Sequence, residues 1–292
     1  MKLIINAELD GITVKDLLYN HLGYSSNIIK NLKKLPSGIT VNGNHVTVRC
    51  VLHNGDEINL ETDDVNESEN ITPVELPLDI VYEDDCLIVL NKPSGMPTHP
   101  SHNHHEDSLA NSLAFYFQEQ NRPFVFRAIN RLDADTSGLV LVAKDKVTAF
   151  KLSKAMADGK ISKKYFALLH GELNLSGNIE LPIRRSEDST MLRVVDTNPE
   201  SSAKYALTAY EVLEKSEKFT LVSASPITGR THQLRVHFSH IGHPICGDGL
   251  YGITSDGSDY PRLALHAYSL TFPHPSKGEI TLATNIPDCF NV

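Results

Sequence analysis

No window of this chain approaches the roughly 18–20 consecutive apolar residues that a membrane-spanning helix requires. The opening run Met1–Asn6 has too short an apolar part for a secretory signal, so a cytoplasmic protein is expected. Cysteine is scarce: Cys50, Cys86, Cys246 and Cys289 lie far apart, with no Cys-x-x-Cys pair. That spacing argues against a disulfide framework and a cysteine-built zinc site, and it predicts buried free thiols. Basic charge is also in short supply, with 27 Lys and Arg against 36 Asp and Glu and a net charge of −9. The sequence pI is near 5.8. A nucleic-acid partner would therefore have to be met by a local basic face, since the total charge does not attract one. Internal repeats are lacking too.

What remains is ordinary globular material. At 292 residues, 40% hydrophobic and 22% charged, the chain can bury a sizeable core as one large domain, or as a large domain plus a small one. Residues 1–61 read as the small module. Thr13 can cap a helix through Val14, Leu17, Leu18 and Leu22 that Gly23 ends. Ser25 or Ser26 can cap a second helix through Ile28, Ile29, Leu32 and Leu35, stopped by Pro36. Asn42-Gly43 and Asn54-Gly55 then signal hairpins between short strands. Lys30, Lys33 and Lys34 share one side of the second helix, which reads either as a solvated face or as a phosphate-contacting one. The order of these pieces resembles the ribosomal S-four-like RNA-binding module, in which the two helices carry the RNA face. Residues 62–75 are acidic and poor in apolar side chains, as in a flexible linker.

From residue 76 to 292 the pattern is strand-rich. Leu78–Tyr82 and Cys86–Leu90 read as strands joined by an acidic turn, and Asn91-Lys92-Pro93-Ser94-Gly95 breaks the second. Helices are expected over Ser108–Gln118 and Val147–Ala157, and strands over Leu139–Ala143, Lys163–His170, Leu207–Leu213 and Phe219–Ser225. Helices interspersed irregularly among strands point to an α+β fold.

The densest polar turn is Asn130-Arg131-Leu132-Asp133-Ala134-Asp135-Thr136-Ser137-Gly138, which runs straight into the apolar stretch Leu139–Ala143. A calcium loop starting at Asp133 would need a glutamate at its twelfth position, where Lys144 stands. An Asp-x-Asp-x-Thr phosphotransfer motif would need threonine where Ser137 stands, and its acids belong after a strand, not before one. Two readings remain open: a metal-free carboxylate nucleophile or base beside Arg131, and a turn whose acids only hydrogen-bond their own backbone.

Two other segments bear on that choice. In Thr228–His237, Thr231 can cap a helix on which Arg235 stands as a rigid ion-pair partner or as an ordinary surface arginine. His232 and His237 are five apart and off a common face, which disfavours a two-histidine metal site. Tyr165, on the strand beginning at Lys163, faces either a cleft or the core, and base stacking is a role for it only beside a nucleic-acid site. The histidine-rich segment His99–His105 offers no carboxylate or cysteine at ligand spacing, and no metal is expected.

Arg-Leu-Asp-x-x-Thr-Ser-Gly-Leu, Lys-x-Tyr-x-Ala, Thr-Gly-Arg-Thr-His-Gln-Leu-Arg and Gly-His-Pro-Ile-Cys-Gly-Asp-x-Leu-Tyr-Gly occur here in that order, after Asn91–Gly95. This set, spanning about 78–272, resembles the RluA/RluD-type pseudouridine synthases. The resemblance implies isomerisation of uridine to pseudouridine in structured RNA, ribosomal or transfer. It also implies a catalytic domain of two subdomains around a mixed, largely antiparallel sheet with a cleft. By the same resemblance, Asp133 is the nucleophile, Arg235 its ion-pair partner and Tyr165 the residue stacked on the target uracil. Arg131 enters the RNA stack. Whether Asp133 attacks the ribose, attacks the base or takes a ribose proton stays open. No cofactor is implied, a monomer is expected, and the chain shows no motif for a metal, nucleotide or redox group. The family usually has histidine where this chain has Asn130, which puts any role of that ring in doubt. The rival expectation is an inactive RNA-binding or ribosome-assembly factor on the same scaffold.

Overall fold

The computed structural model describes residues 2–24, 26–61, 71–101, 103–252 and 260–290. Ser25, His102 and residues 62–70 of the expected linker lie outside them. The N-terminal segment forms β1 (Lys2–Ile4), α1 (Val14–Asp16), α2 (Ser26–Leu32), β2 (Ile39–Val41), β3 (Asn44–His45) and β4 (Glu57–Leu60). Its four strands make an antiparallel sheet in the order β1-β4-β2-β3. The hairpin read at Asn42-Gly43 is present, with φ of 50° and 79° at the two residues, the left-handed pair that a two-residue hairpin needs.

The first expected helix reaches Leu22 and ends at Gly23 as its spacing suggested, although only its first turn is α-helical, and the second is shorter than expected. Thr13 does cap α1, accepting the Asp16 amide at 3.1 Å, but the chain then opens into a wider turn in which the Leu22 amide bonds Leu17 O at 2.9 Å. That turn buries Leu17 and Leu18 in the same small core as Tyr24. α2 stops at Leu32, before Leu35 and Pro36, because Gly38 folds back on it: a Cβ at Gly38 would sit 2.0 Å from Leu32 O.

The rest of the chain forms β5 (Ile80–Glu83), β6 (Leu87–Lys92), α3 (Leu109–Glu119), β7 (Ser137–Ala143), α4 (Lys146–Ala157) and β8 (Ser162–His170). β9 (Gly177–Glu180), β10 (Ile183–Arg185), β11 (Arg193–Val195), β12 (Leu207–Lys215) and β13 (Phe219–Pro226) follow. α5 (Gln233–His240), β14 (Leu265–His274) and β15 (Gly278–Ala283) complete it. Nine strands share one sheet, ordered β5-β6-β7-β14-β8-β13-β12-β9 with β15 paired to β14, while β10 and β11 make a separate hairpin. Every pairing in the large sheet is antiparallel except β7 with β14, so the expected mixed, largely antiparallel α+β fold is what the chain adopts.

β6 and β7 are buried on both faces, which is why they read as unbroken apolar runs without alternation. Ile88, Leu90, Val140 and Val142 enter one core with α3, while Leu87, Val89, Leu139 and Leu141 enter another that includes Leu152 of α4. Ser108 caps α3 with a capping box through Asn111, and Asp145 caps α4 by accepting the amides of Val147 and Thr148. Val147 also belongs to the N-terminal core, so the small module packs on the first turn of α4. Residues 71–75 of the expected linker are tied down, since Asn111 Nδ2 donates to Thr72 O at 2.7 Å and the Val74 amide to Asn111 O at 3.2 Å. The four cysteines are free thiols as expected, but only Cys246 is fully buried.

Candidate active site

The turn that carries Asp133 is clamped from two directions. From the Asn91–Gly95 side, Lys92 Nζ donates to Ala134 O at 3.0 Å, Ser94 Oγ to Asp135 O at 2.6 Å and Thr98 Oγ1 to Leu132 O at 2.8 Å. From the sheet side, Gly138 lies against β14 at φ 118°, where a Cβ would meet Ala267 O at 2.3 Å, so no other residue fits. Asn130 is buried and spans the gap between turn and strand: Nδ2 donates to Leu139 O at 3.0 Å and Oδ1 accepts the Leu141 amide at 2.8 Å. Its role here is to fix the backbone, for which an amide supplies both the donor and the acceptor.

So held, Asp133 opens into a cavity of about 300 Å³ lined also by Arg131, Lys163, Tyr165, His232 and Arg235. That volume is at the lower end of the roughly 300–1,000 Å³ typical of small-ligand pockets. Arg235 Nη1 stands 3.7 Å from Asp133 Oδ2. The guanidinium is fixed by a second acid, donating from Nε and Nη2 to Asp248 Oδ2 and Oδ1 at 2.8 and 2.6 Å. Both side chains of this bidentate pair are essentially out of solvent, at 3% and 0% exposure. Burial works against the Arg235 charge, but the Asp248 bonds outweigh it and hold the group above its ordinary value. Tyr165 presents its ring from β8, and burial, with Asp133 nearby, raises its phenol so that it stays neutral. Burial lowers the ammonium of Lys163.

Four of the seven residues singled out in the sequence thus meet: Asp133, Arg235, Tyr165 and Arg131 line one cavity. Arg131 is exposed, so the cation beside Asp133 is Arg235, not the sequence neighbour. Lys30, Lys33 and Lys34 are exposed on the N-terminal module and do not line the cavity. Asp135 is exposed in the turn.

Thr231 does not cap α5. His232 occupies that position with left-handed φ 55° and ψ 20° and no capping side chain. Gln233 does the anchoring instead, its Oε1 accepting the Arg230 amide at 3.0 Å and Thr228 Oγ1 at 2.7 Å. The geometry brings the His232 ring into the cavity, which a conventional cap would not require.

Three site residues escaped the sequence reading: Asp248, His232 and Lys92. Asp248 lies in the Gly-Asp-x-Leu-Tyr-Gly phrase, an acid between glycines whose carboxylate meets Arg235 and also the amides of Leu250 and Tyr251. Lys92 is 0% exposed, and its Nζ donates to three carbonyl oxygens, Pro93 O, Met96 O and Ala134 O. Burial brings its ammonium down to about 7, against the pull of Asp133 and Asp135. Between pH 7 and the unfolded lysine value of about 10.4, the unfolded chain therefore binds one proton more than the folded one. Stability from this group should rise with pH over that window, by about 1.4 kcal/mol per unit, and stay flat below pH 7. Urea unfolding at pH 6, 8 and 9 should show wild type gaining on Lys92→Met above pH 7. Parallel profiles would mean that Lys92 titrates normally.

A second cavity of about 440 Å³ adjoins the first at Gly229, Arg230 and Thr231. Arg184, Arg185, Arg193 and Lys204 line it together with Arg230, and among the described residues no acid does, although Asp196 and Glu187 pair with Arg184. This is the local basic face that the net charge conceals.

In the histidine-rich segment, His104 Nδ1 pairs with Asp107 Oδ2 at 2.6 Å and His99 packs edge-on against Phe126. Among the described residues, Asp84, Cys86 and His274 also approach one another closely. His274 Nδ1 accepts the amides of Ser276 and Lys277, so Nε2 carries the proton it donates to Asp84 at 2.8 Å and is not free to ligate a metal.

Residues 86–240 match the protein family described as RNA pseudouridylate synthase. The chain is similar to the uncharacterized RNA pseudouridine synthase YjbO of Bacillus subtilis, 36% identical over 265 residues that cover 90% of this chain and 91% of that protein. It is also similar to ribosomal large subunit pseudouridine synthase D of Nitrosomonas europaea, 34% identical over 259 residues, 86% of this chain and 74% of that one. Among solved structures, human RNA pseudouridylate synthase domain containing 1 aligns with TM-score 0.62 and 31% identity, over 72% of this chain and 83% of that chain.

Proposed function

Because the chain belongs to the RNA pseudouridylate synthase family, of the RluA/RluD type, we propose that Asp133 is its nucleophile and large-subunit ribosomal RNA its substrate. The family reaction is an isomerisation: the uridine N1–C1′ bond breaks, the uracil turns in place, C5 bonds to C1′, and the C5 hydrogen leaves as a proton while N1 gains one. The detached base must not escape, which calls for a target flipped out of its helix, at a cost of a few kcal/mol, into a closed pocket.

One observation carries the reading. The Asp133 carboxylate, 29% exposed, faces the cavity 3.7 Å from a guanidinium whose remaining edge is locked by Asp248. A cation fixed in this way orients the carboxylate without closing on it as a hydrogen-bonded pair. In this reading Tyr165 stacks on the target uracil, a contact that contributes about 1–3 kcal/mol. Arg131, exposed at the rim, enters the RNA stack and helps to expel the base. The intact set of Asp133, Arg235 and Tyr165 favours an active enzyme over an inactive binding factor. The name of the Nitrosomonas relative favours ribosomal RNA over transfer RNA.

Phosphates of nucleotides flanking the target fit the basic cavity that adjoins the Asp133 cavity at Gly229, Arg230 and Thr231. Residues 1–61 act in this reading as an S-four-like RNA-binding module, with Lys30, Lys33 and Lys34 exposed toward phosphate. Replacing all three lysines by Gln tests that role without deleting the module, whose core is shared with Val147. The variant should bind structured RNA more weakly, with a salt slope shallower by roughly 0.7–0.9 per lost phosphate contact. A slope equal to that of wild type would remove the module from the RNA interface.

The assignment of Asp133 is tested by comparing Asp133→Asn with Asp135→Asn on uridine-containing RNA, where pseudouridine formation should fail only in the first.

A further inference from the structure

Beside the groups already assigned, the cavity contains one side chain whose hydrogen bonds are dictated from behind. His232 is non-glycine at φ 55°, a conformation that costs on the order of 1–2 kcal/mol and persists only where the surroundings enforce it. Its ring meets Tyr251 edge-on, with centroids 5.6 Å apart, and Nδ1 lies 2.8 Å from the Tyr251 hydroxyl. That hydroxyl already accepts the Arg193 amide hydrogen at 2.9 Å. Its own hydrogen then needs an acceptor, and Nδ1 supplies one. In a neutral imidazole whose Nδ1 accepts, the proton sits on Nε2. Burial keeps the ring below its ordinary value, with Asp133 and Asp248 opposing and Arg235 and Arg193 assisting. Nε2 is 3.7 Å from Asp133 Oδ2, too far for a hydrogen bond, so its N–H faces the cavity without a close acceptor among the described residues.

We propose that His232 is a further catalytic residue, a neutral donor whose Nε2–H hydrogen-bonds the uracil as its glycosidic bond breaks. Tyr251 is then the positioning residue that fixes the tautomer. The proposal rests on reading the Asp133 cavity as the site of isomerisation. When the N1–C1′ electron pair leaves with the base, negative charge spreads over N1 and the two carbonyl oxygens of the uracil. A neutral N–H donor aimed at one of those oxygens lowers the energy of that state without transferring its proton. The distinction matters because a histidinium would protonate the base, and neutral uracil is a poor nucleophile for the return attack of C5 on C1′. The chain Arg193 amide, Tyr251 hydroxyl, His232 imidazole delivers a donor that stays neutral.

Two substitutions separate this role from a structural one. His232→Asn suits the left-handed backbone and can still reach Tyr251, but it is too short to place a donor in the cavity. His232→Gln extends an amide N–H to about the position of Nε2. Single-turnover pseudouridine formation at saturating protein should slow about 100-fold in His232→Asn, the scale of losing one such donor, and by less than about tenfold in His232→Gln. RNA affinity and melting temperature should match wild type in both. Tyr251→Phe should slow the same step by about tenfold with RNA affinity unchanged. Wild-type rates in both histidine variants, or equal losses in both, would overturn the proposal. Asp133→Asn run alongside distinguishes the failures: its retained activity would sink the nucleophile, whereas its inactivity beside a fully active His232→Asn would sink only the histidine.

Discussion

Asp133→Asn should lower single-turnover pseudouridine formation by about four orders of magnitude or more, the scale on which removal of a single nucleophile falls. Asp135→Asn, two residues away in the same turn, should stay within a few-fold of wild type. The contrast follows from where the side chains stand. Asp133 faces the cavity beside Arg235, whereas Asp135 is exposed and enters the structure through its carbonyl, which accepts Ser94 Oγ at 2.6 Å. The amide is nearly isosteric with the carboxylate, and Arg235 keeps its two bonds to Asp248, so neither folding nor RNA affinity should change much. Equal losses in the two variants would mean that the turn, and not one carboxylate, was disturbed.

Asp248→Ala is expected to cost about 3–5 kcal/mol of unfolding free energy, the range for removing one partner of a buried ion pair. Arg235 would be left charged at 3% exposure with its nearest anion 3.7 Å away. The amides of Leu250 and Tyr251, which bond Asp248 Oδ1 at 2.9 and 3.1 Å, would lose their acceptor as well. Activity should fall with stability, because the guanidinium loses the support that aims it at Asp133. Arg235→Met combined with Asp248→Leu separates the two effects. A well-packed apolar pair in place of a buried ion pair is often neutral for stability, so the double variant should regain much of the loss and remain inactive. Urea unfolding reads the first quantity and single-turnover assay the second. A loss below about 1 kcal/mol in Asp248→Ala would show that Arg235 finds water or another acceptor.

Elements carried by local chemistry could be read from residue order. β6 and β7 stand out as apolar runs because both faces are buried, and α3 and α4 start where Ser108 and near where Asp145 can cap. The hairpin at Asn42-Gly43 follows from two residues that tolerate positive φ. What could not be read depends on contacts distant in sequence. α2 ends at Leu32 because Gly38 returns over its last carbonyl, and β7 pairs parallel with β14 across more than a hundred residues. Lys92 looks like a surface lysine until three carbonyl oxygens converge on it. Arg235 was visible, but its bidentate partner Asp248 was not, since nothing in Gly-Asp-x-Leu says which cation it will meet. Asn130 is a departure without a reason until its amide is seen to bond two backbone groups of β7, Leu139 O and the Leu141 amide. The candidate catalytic groups are thus legible by type, and the residues that position them only by geometry.

The most direct test is a map of pseudouridines in large-subunit ribosomal RNA from cells in which this chain is replaced by its Asp133→Asn form. Under the proposed role of Asp133, one or a few positions should revert to uridine, and regain pseudouridine when the wild-type chain is restored. A map identical to that of wild-type cells would contradict it.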